Sequence, residues 1–319
     1  MSQIINEPQK EFVTALAITT TVALAALYLP VVGLVVSPFI PLPVLFYRSK
    51  LGRSKAALVL IAVTVIVAST MRWRSITSPL FFFELGLVGF MLSEMFQMDL
   101  SLEKTVILTT AGAVASGMLI LGLYSMLSAQ SVGEQISGYV SNTLQLALDM
   151  YKDMDGADER INVLAQSMEG VLYILLRILP AVAIVSTLFV VWSNLLLARP
   201  LLKSRRLHCP EFGSLNQWKA PESLVWVAIA SGVLLLTPQK GLKILGVNGL
   251  IIMMMIYFFQ GIAIVAYYFE KKGFPRLVRI LFYSLIAAQQ LVFLLVVGVG
   301  FFDLWVDFRR LKQRSEKGQ

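Results

Sequence analysis

Residues Val171–Ala198 read VLYILLRILPAVAIVSTLFVVWSNLLLA, and Arg177 is their one charged residue. A hydrocarbon core about 30 Å thick is crossed by roughly 20 apolar helical residues. This run is longer than that, and a helix apolar on every face is either deeply buried or in lipid. Working outward, runs of the same character recur at Phe12–Leu29, Val31–Tyr47, Lys55–Met71, Ser78–Phe96 and Thr105–Leu127, then at Ser223–Thr237, Leu245–Phe269 and Leu277–Phe302. The chain is 57 % apolar and 14 % charged, where soluble chains average roughly 45–50 % and about 25 %. Mean hydropathy is +0.75. The expected fold class is all-α, a polytopic helical membrane bundle with about eight to nine transmembrane segments. An ordinary cytosolic enzyme, a disordered chain and a disulfide-rich secreted module are excluded.

Three regions follow along the chain. Residues 1–127 hold the N-terminal transmembrane helices, 128–170 an extracytoplasmic amphipathic insert, and 171–319 the C-terminal helices with a basic cytoplasmic tail. In the insert, Ile136, Tyr139, Val140, Ala147, Leu148 and Tyr151 recur at helical spacing opposite Glu134, Asn142, Asp149 and Lys152, the pattern of a surface helix. The acidic turn after it, with Asp153, Asp155 and Asp158, fails the spacing of a calcium loop, because Gly156 at loop position six puts Asn162 where the last acidic ligand belongs.

The net charge of +8 lies in short turns, which suits an anionic cytoplasmic leaflet rather than nucleic acid. Arg48, Lys50, Arg53 and Lys55 mark one cytoplasmic turn, and Arg199, Lys203, Arg205 and Arg206 another. The insert then lies outside and the N-terminus inside. The first run has no basic n-region and continues past any cleavage site, so it is expected to be a retained helix. Basic residues flank the last run on both sides, with Lys271, Lys272, Arg276 and Arg279 before it and Arg309, Arg310, Lys312 and Arg314 after it. One span cannot have both ends inside. Either Ser223–Thr237 is re-entrant or Leu277–Phe302 is a hairpin; eight crossings with both termini cytoplasmic are expected.

Pro30, Pro38, Pro41 and Pro43 crowd the second run. It reads either as a kinked helix packed inside the bundle or as a broken segment lining a cavity. Small residues four apart (Thr19 with Ala23, Thr21 with Ala25, Ala111 with Ala115, Ala113 with Gly117) permit close helix approach.

Little in the chain suits soluble catalysis. One Cys and one His exclude an intrachain disulfide and a zinc site of four Cys or His ligands. There is no phosphate-binding loop, and Gly298-Val299-Gly300 lacks the third glycine of a dinucleotide site. No enzyme activity, catalytic residue, metal or cofactor is expected. Polar residues within apolar helices are costly and therefore informative. Glu84, Arg177, Asn248 and Gln260 are the candidate ligand-binding residues, with Asn194 and Gln289-Gln290 as further neutral ones. Glu84 reads either as an ion-pair partner for an arginine near the outer surface or as part of an outward-open polar cavity with Arg177. At the end of the last run Asp303 and Asp307 stack one helical turn apart, beside Trp305 and Arg309. An interfacial helix end explains Trp305 and the arginine. Two carboxylates there call for hydrogen bonds or ion pairs with another helix.

Asn248, Gln260-Gly261 and the stretch Asp303-Leu304-Trp305-Val306-Asp307-Phe308-Arg309 resemble motifs of the YybS-like bacterial membrane proteins, a family of unknown function. The resemblance implies a multi-pass protein of the bacterial inner membrane. The family is distantly similar in helical layout to S components of energy-coupling transporters and to MreD-like envelope proteins, a fold-level analogy that transfers no substrate. It implies a transport or small-molecule-binding subunit in the lipid bilayer, served by a coupling ATPase or another membrane protein partner. The alternative is a non-enzymatic envelope scaffold.

Overall fold

The structure is a computed structural model and describes residues 2–70, 77–152 and 168–309. Among the described residues every regular element is helical. In chain order they are α1 (Ser2–Tyr28), α2 (Pro30–Val36), a 3-10 turn (Ser37–Phe39), α3 (Pro41–Leu51), α4 (Arg53–Thr70), α5 (Thr77–Gln97), α6 (Leu102–Ser128) and α7 (Val132–Lys152). Then come α8 (Met168–Ser204), a 3-10 turn (Leu215–Gln217), α9 (Leu224–Leu236), α10 (Lys240–Lys271), α11 (Arg276–Ala288) and α12 (Gln290–Val306).

Among the described residues six helical stretches are long and apolar enough to cross a membrane: Gln9–Tyr28, Arg53–Thr70, Pro79–Gln97, Leu102–Ser128, Met168–Ser204 and Lys240–Lys271. Counting α11 and α12 together as one bent span makes seven. This corrects the expectation of eight to nine, and the reason lies in three runs. Val31–Tyr47 is cut into α2, a 3-10 turn and α3, because Pro30, Pro38 and Pro41 each open a new helical piece. At a first turn the missing N–H costs nothing, whereas inside a helix it breaks the ladder. Ser223–Thr237 yields a 13-residue helix, about 20 Å long at 1.5 Å per residue. Leu277–Phe302 bends by 102° between α11 and α12, at Gln289.

The chain packs as two units, Met1–Thr143 with Ser186–Glu211, and Leu144–Val185 with Phe212–Gln319. In the first, α3 lies against α4 and α5, α1 against α2 and α4, and α5 against α6. Leu45, Val67, Leu92 and Phe96 are fully buried there. At α3 the Pro-rich segment is covered by protein, since a Cβ at Gly89 of α5 would collide with the Pro41 carbonyl, whereas Val32 and Val35 of α2 are exposed. In the second unit α10 packs against α9 and α12. The α10–α12 contact runs backbone to backbone, since a Cβ at Gly261 would strike the Val296 carbonyl and one at Gly300 the Tyr257 carbonyl.

The insert contains α7, which is amphipathic and exposes Tyr139 and Leu146. Asp153, Asp155, Gly156 and Asp158 lie outside the described residues. Ser131 and Glu134 form a reciprocal cap at the start of α7: the Ser131 N–H donates to Glu134 Oε2 at 2.8 Å, and the Glu134 N–H donates to Ser131 Oγ at 3.2 Å. The bond from the Ser131 backbone, then that from its side chain, holds the Glu134 carboxyl below its ordinary range.

Two outcomes are expected. Gly261→Val should destabilise the protein by about 1–3 kcal/mol through overpacking, while Gly298→Val, which has open space around it, should change little; thermal unfolding in detergent measures both. A depressed carboxyl contributes stability that is present above its unfolded pKa and lost as pH falls through the folded one. A peptide of residues 128–152 in micelles should therefore lose helix by circular dichroism on acidification below the carboxylate range, and Glu134→Gln should remove most of that loss.

Candidate functional site

The C-terminal motif folds into a buried polar network in the second unit. The close α10–α12 crossing brings Asp303 beside Gln260, whose Nε2 donates to Asp303 Oδ2 at 3.1 Å. The same oxygen receives Arg309 Nη2 at 2.8 Å, with both side chains fully buried. Arg309 Nη1 donates to the carbonyls of Asn216 and Trp218 at 2.8 and 3.0 Å. Gln260 Oε1 accepts the Ala220 N–H at 3.1 Å, and Asp303 Oδ1 accepts the Phe308 N–H at 3.0 Å. Asp307, in the left-handed conformation that ends α12 (φ 44°), turns outward and pairs with Lys219 Nζ at 2.7 Å. Tyr268 Oη donates to the Phe308 carbonyl at 2.6 Å. Asp303, Asp307, Gln260 and Arg309 thus fasten the end of α12 to α10 and to the loop of residues 216–220. Trp305 stays exposed and packs edge-on against Phe301 at 5.3 Å.

Asn248 does a different task. Pro180 has no N–H, and its ring pushes away the preceding turn of α8. The Asn248 amide fills the opening: Oδ1 accepts the Ala181 N–H at 2.9 Å and Nδ2 donates to the Arg177 carbonyl at 2.8 Å. Those two backbone groups would pair with each other in an unbroken ladder. Nδ2 also donates to the Ile244 carbonyl at 2.8 Å. The Arg177 guanidinium lies over the Tyr173 ring, 3.0 Å from its centroid, and Nη1 donates to the Tyr173 carbonyl at 3.0 Å. The structure therefore joins Arg177 to Asn248 through the Arg177 backbone, while its side chain turns to Tyr173.

Glu84 belongs to the first unit. Its Oε1 accepts Ser116 Oγ at 2.7 Å. Its Oε2 is buried and meets no hydrogen-bond donor. Arg72 and Arg74, the arginines nearest to it in the sequence, lie outside the described residues. Glu84 lines a cavity of about 280 Å³ together with Leu80, Phe81, Ile120, Leu121 and Tyr124. Leu121 and Tyr124 also line a wider cleft of about 840 Å³ that reaches Glu134 and Asn142.

Two features of the first unit had only an indirect sequence signal. Glu94 of α5 meets both Arg48, at 2.5 Å, and Arg53, at 2.7 Å; the arginines were legible as a topology signal, but their carboxylate was not. Asn194 Nδ2 donates to the Pro38 carbonyl at 2.7 Å, in a stretch where Pro41 and Pro43 supply no N–H. The adjacent His208 and Cys209 do not face one another as a nucleophile pair. His208 Nε2 meets the Phe96 carbonyl at 3.1 Å and Asp99 at 3.0 Å, and burial pushes the Cys209 thiol up, away from the thiolate. Among the described residues no cluster of three or more His, Cys, Asp or Glu is placed to hold a metal ion.

The family model described as "Predicted membrane protein (DUF2232)" matches residues 17–304. The chain belongs to this family. It is also similar to "Uncharacterized protein YybS" of Bacillus subtilis (strain 168), at 23 % identity over 265 residues that cover 80 % of this chain and 82 % of that protein. Both matches agree with the resemblance to the YybS-like family. No solved structure matches. The DUF2232 match and the six apolar helices make the protein a multi-pass membrane protein in contact with the lipid bilayer.

Removing Asp303 leaves a buried guanidinium uncompensated, which typically costs about 3–5 kcal/mol. Asp303→Asn should lower the thermal midpoint in detergent strongly. Combined with Arg309→Met it should cost much less than the two single changes summed, which a double-mutant cycle on the purified protein measures.

Proposed function

We propose that the protein is a small-molecule-binding subunit of a membrane transport system and that Glu84 is its binding group. The observation that carries this is that Glu84, which lines an otherwise apolar cavity of about 280 Å³, keeps a buried Oε2 without a hydrogen-bond donor. An ionisable group within a span marks a functional site by default. A buried acceptor without a donor costs about 1–3 kcal/mol, and a ligand that brings the donor recovers it. The remaining wall is apolar, so the matching ligand class is an apolar molecule carrying an amine.

The basic turns around Arg48 and Arg199 support a bacterial cell-membrane location with both termini cytoplasmic. The chain carries no nucleotide-binding loop, so energised transport would use a separate coupling ATPase. The engagement of His208, Asp303 and Asp307 in internal bonds supports a non-enzymatic role. A second reading, an envelope scaffold, draws on the exposed Tyr139 and Leu146 of α7.

Thermal unfolding in detergent with a panel of apolar amines, each beside its neutral alcohol counterpart, tests the proposal. A fitting amine at about a hundred times its Kd should add about 2.7 kcal/mol. Its alcohol should add less, and Glu84→Gln should abolish the difference. Absence of any amine-specific shift, or an unchanged shift in Glu84→Gln, overturns the reading.

A further inference from the structure

We infer that the protein is a homodimer in which the break between α11 and α12 of one copy covers the same break of the other. α11 and α12 form a re-entrant hairpin beside α10. The start of α11 lies at the Lys271 end of α10, where the Phe269 ring packs on Phe274 with centroids 5.4 Å apart. The end of α12 lies there too: Tyr268 Oη donates to the Phe308 carbonyl at 2.6 Å, and Asn216 bonds both Glu270 and Arg309. The break is deep. Near the start of α12 the Phe293 ring stacks on Phe258 at 4.6 Å. Phe258 is 13 residues before Lys271 and 18 after Lys240, about 20 Å and about 27 Å from the two ends of α10. Gln290 precedes Phe293 by three residues, farther still from the Lys271 end. The break therefore sits beside the middle of a membrane-crossing helix.

A helix end leaves backbone groups without intrahelical partners. At Pro180 and at Pro38 an amide from another helix meets such groups, Asn248 in the first case and Asn194 in the second. The break at Gln289 has no such amide. Its N–H donates to the Leu285 carbonyl at 2.9 Å, and its carbonyl accepts the Phe293 N–H at 3.0 Å. The Gln289 side chain caps none of the first-turn N–H groups of α12. Gln289 and Gln290 are both exposed, and among the described residues neither side-chain amide meets a partner. Irregular backbone at membrane depth persists only where protein covers it or water fills a cavity beside it.

The surroundings select protein. Leu281, Leu285, Leu291 and Leu295 flank the break and are 60, 45, 75 and 68 % exposed, whereas a water-filled cavity would be lined by polar side chains. Depth then selects a second copy. Two copies inserted in one membrane share an orientation, so a two-fold axis along the membrane normal sets each break level with the other. A two-fold interface brings the same patch of both subunits together. An amide is donor and acceptor at once, so Gln289 and Gln290 suit their own counterparts and the open backbone groups beside them. Glutamine hydrogen bonds between helices promote association in lipid.

Crosslinking and subunit counting on the full chain test this, in vesicles of phosphatidylethanolamine and phosphatidylglycerol. In a Cys209→Ser background, Leu291→Cys should form an intermolecular disulfide on oxidation, and Leu127→Cys of α6, 84 % exposed, should not. Single-molecule photobleaching of the dye-labelled protein should count two copies. The joint change Gln289→Leu, Gln290→Leu should raise the dimer Kd about tenfold or more, and Gln289→Asn, Gln290→Asn should keep most of the affinity. The Leu291→Cys crosslink leaves both amides in place, so it reads the interface whatever the leucine pair does to folding. A single copy at every protein-to-lipid ratio overturns the proposal. So does a dimer that crosslinks at Leu127→Cys rather than Leu291→Cys, or one whose Kd ignores the leucine pair. Reaction of Gln290→Cys with a charged maleimide means a water-filled cavity and overturns it as well.

Discussion

Hydrocarbon offers no hydrogen bonds, so each break in a membrane helix must be met by protein or by enclosed water. Two side-chain amides answer that demand. Asn248 reaches across from α10 and takes both the carbonyl and the N–H opened around Pro180 in α8. Asn194 of α8 meets the Pro38 carbonyl in the Pro-rich segment. In each case the proline that disrupts one helix creates a specific docking point for another. An apolar side chain at either position would fill the space and leave the backbone unmet, at about 1–3 kcal/mol per group.

Close packing and buried charge are coupled in the second unit. Glycines at 261 and 300 let α10 and α12 meet backbone to backbone. That approach puts Asp303 within reach of Gln260, and Arg309 then closes on Asp303 and on two loop carbonyls. A buried ion pair repays its desolvation only when further hydrogen bonds satisfy both partners. Gln260 and the Phe308 N–H serve the carboxylate and two loop carbonyls serve Arg309 Nη1, while Arg309 Nε meets no acceptor; the pair selects one arrangement of helix end, neighbouring helix and loop.

The acidic side chains of the spans divide by how completely they are met. Asp303 and Glu94 each face guanidinium groups. Glu84 faces one hydroxyl and otherwise an apolar cavity. The first two are structural ties. The third borders a space large enough for a small molecule and has one buried oxygen unmet, and that contrast sets it apart from the other two carboxylates.

Apolar runs such as Val171–Ala198 determined from sequence alone that the chain is a helical membrane protein, because run length against bilayer thickness is a one-dimensional property. The amphipathic α7 and the need of Asp303 and Asp307 for internal partners were legible for the same reason: periodicity and burial cost are local. Proline positions marked the second run as irregular, but which breaks occur depends on where a carbonyl finds a partner, and Asn194 lies far along the chain from Pro38. The number of spans was overestimated because hydropathy registers neither a 102° turn at Gln289 nor the shortness of α9. Asn248 and Gln260 looked alike as buried amides. Only tertiary structure set one against a broken backbone, the other against a carboxylate, and left Glu84 with an oxygen unmet, since a hydrogen-bond partner is fixed by proximity in space rather than by order along the chain.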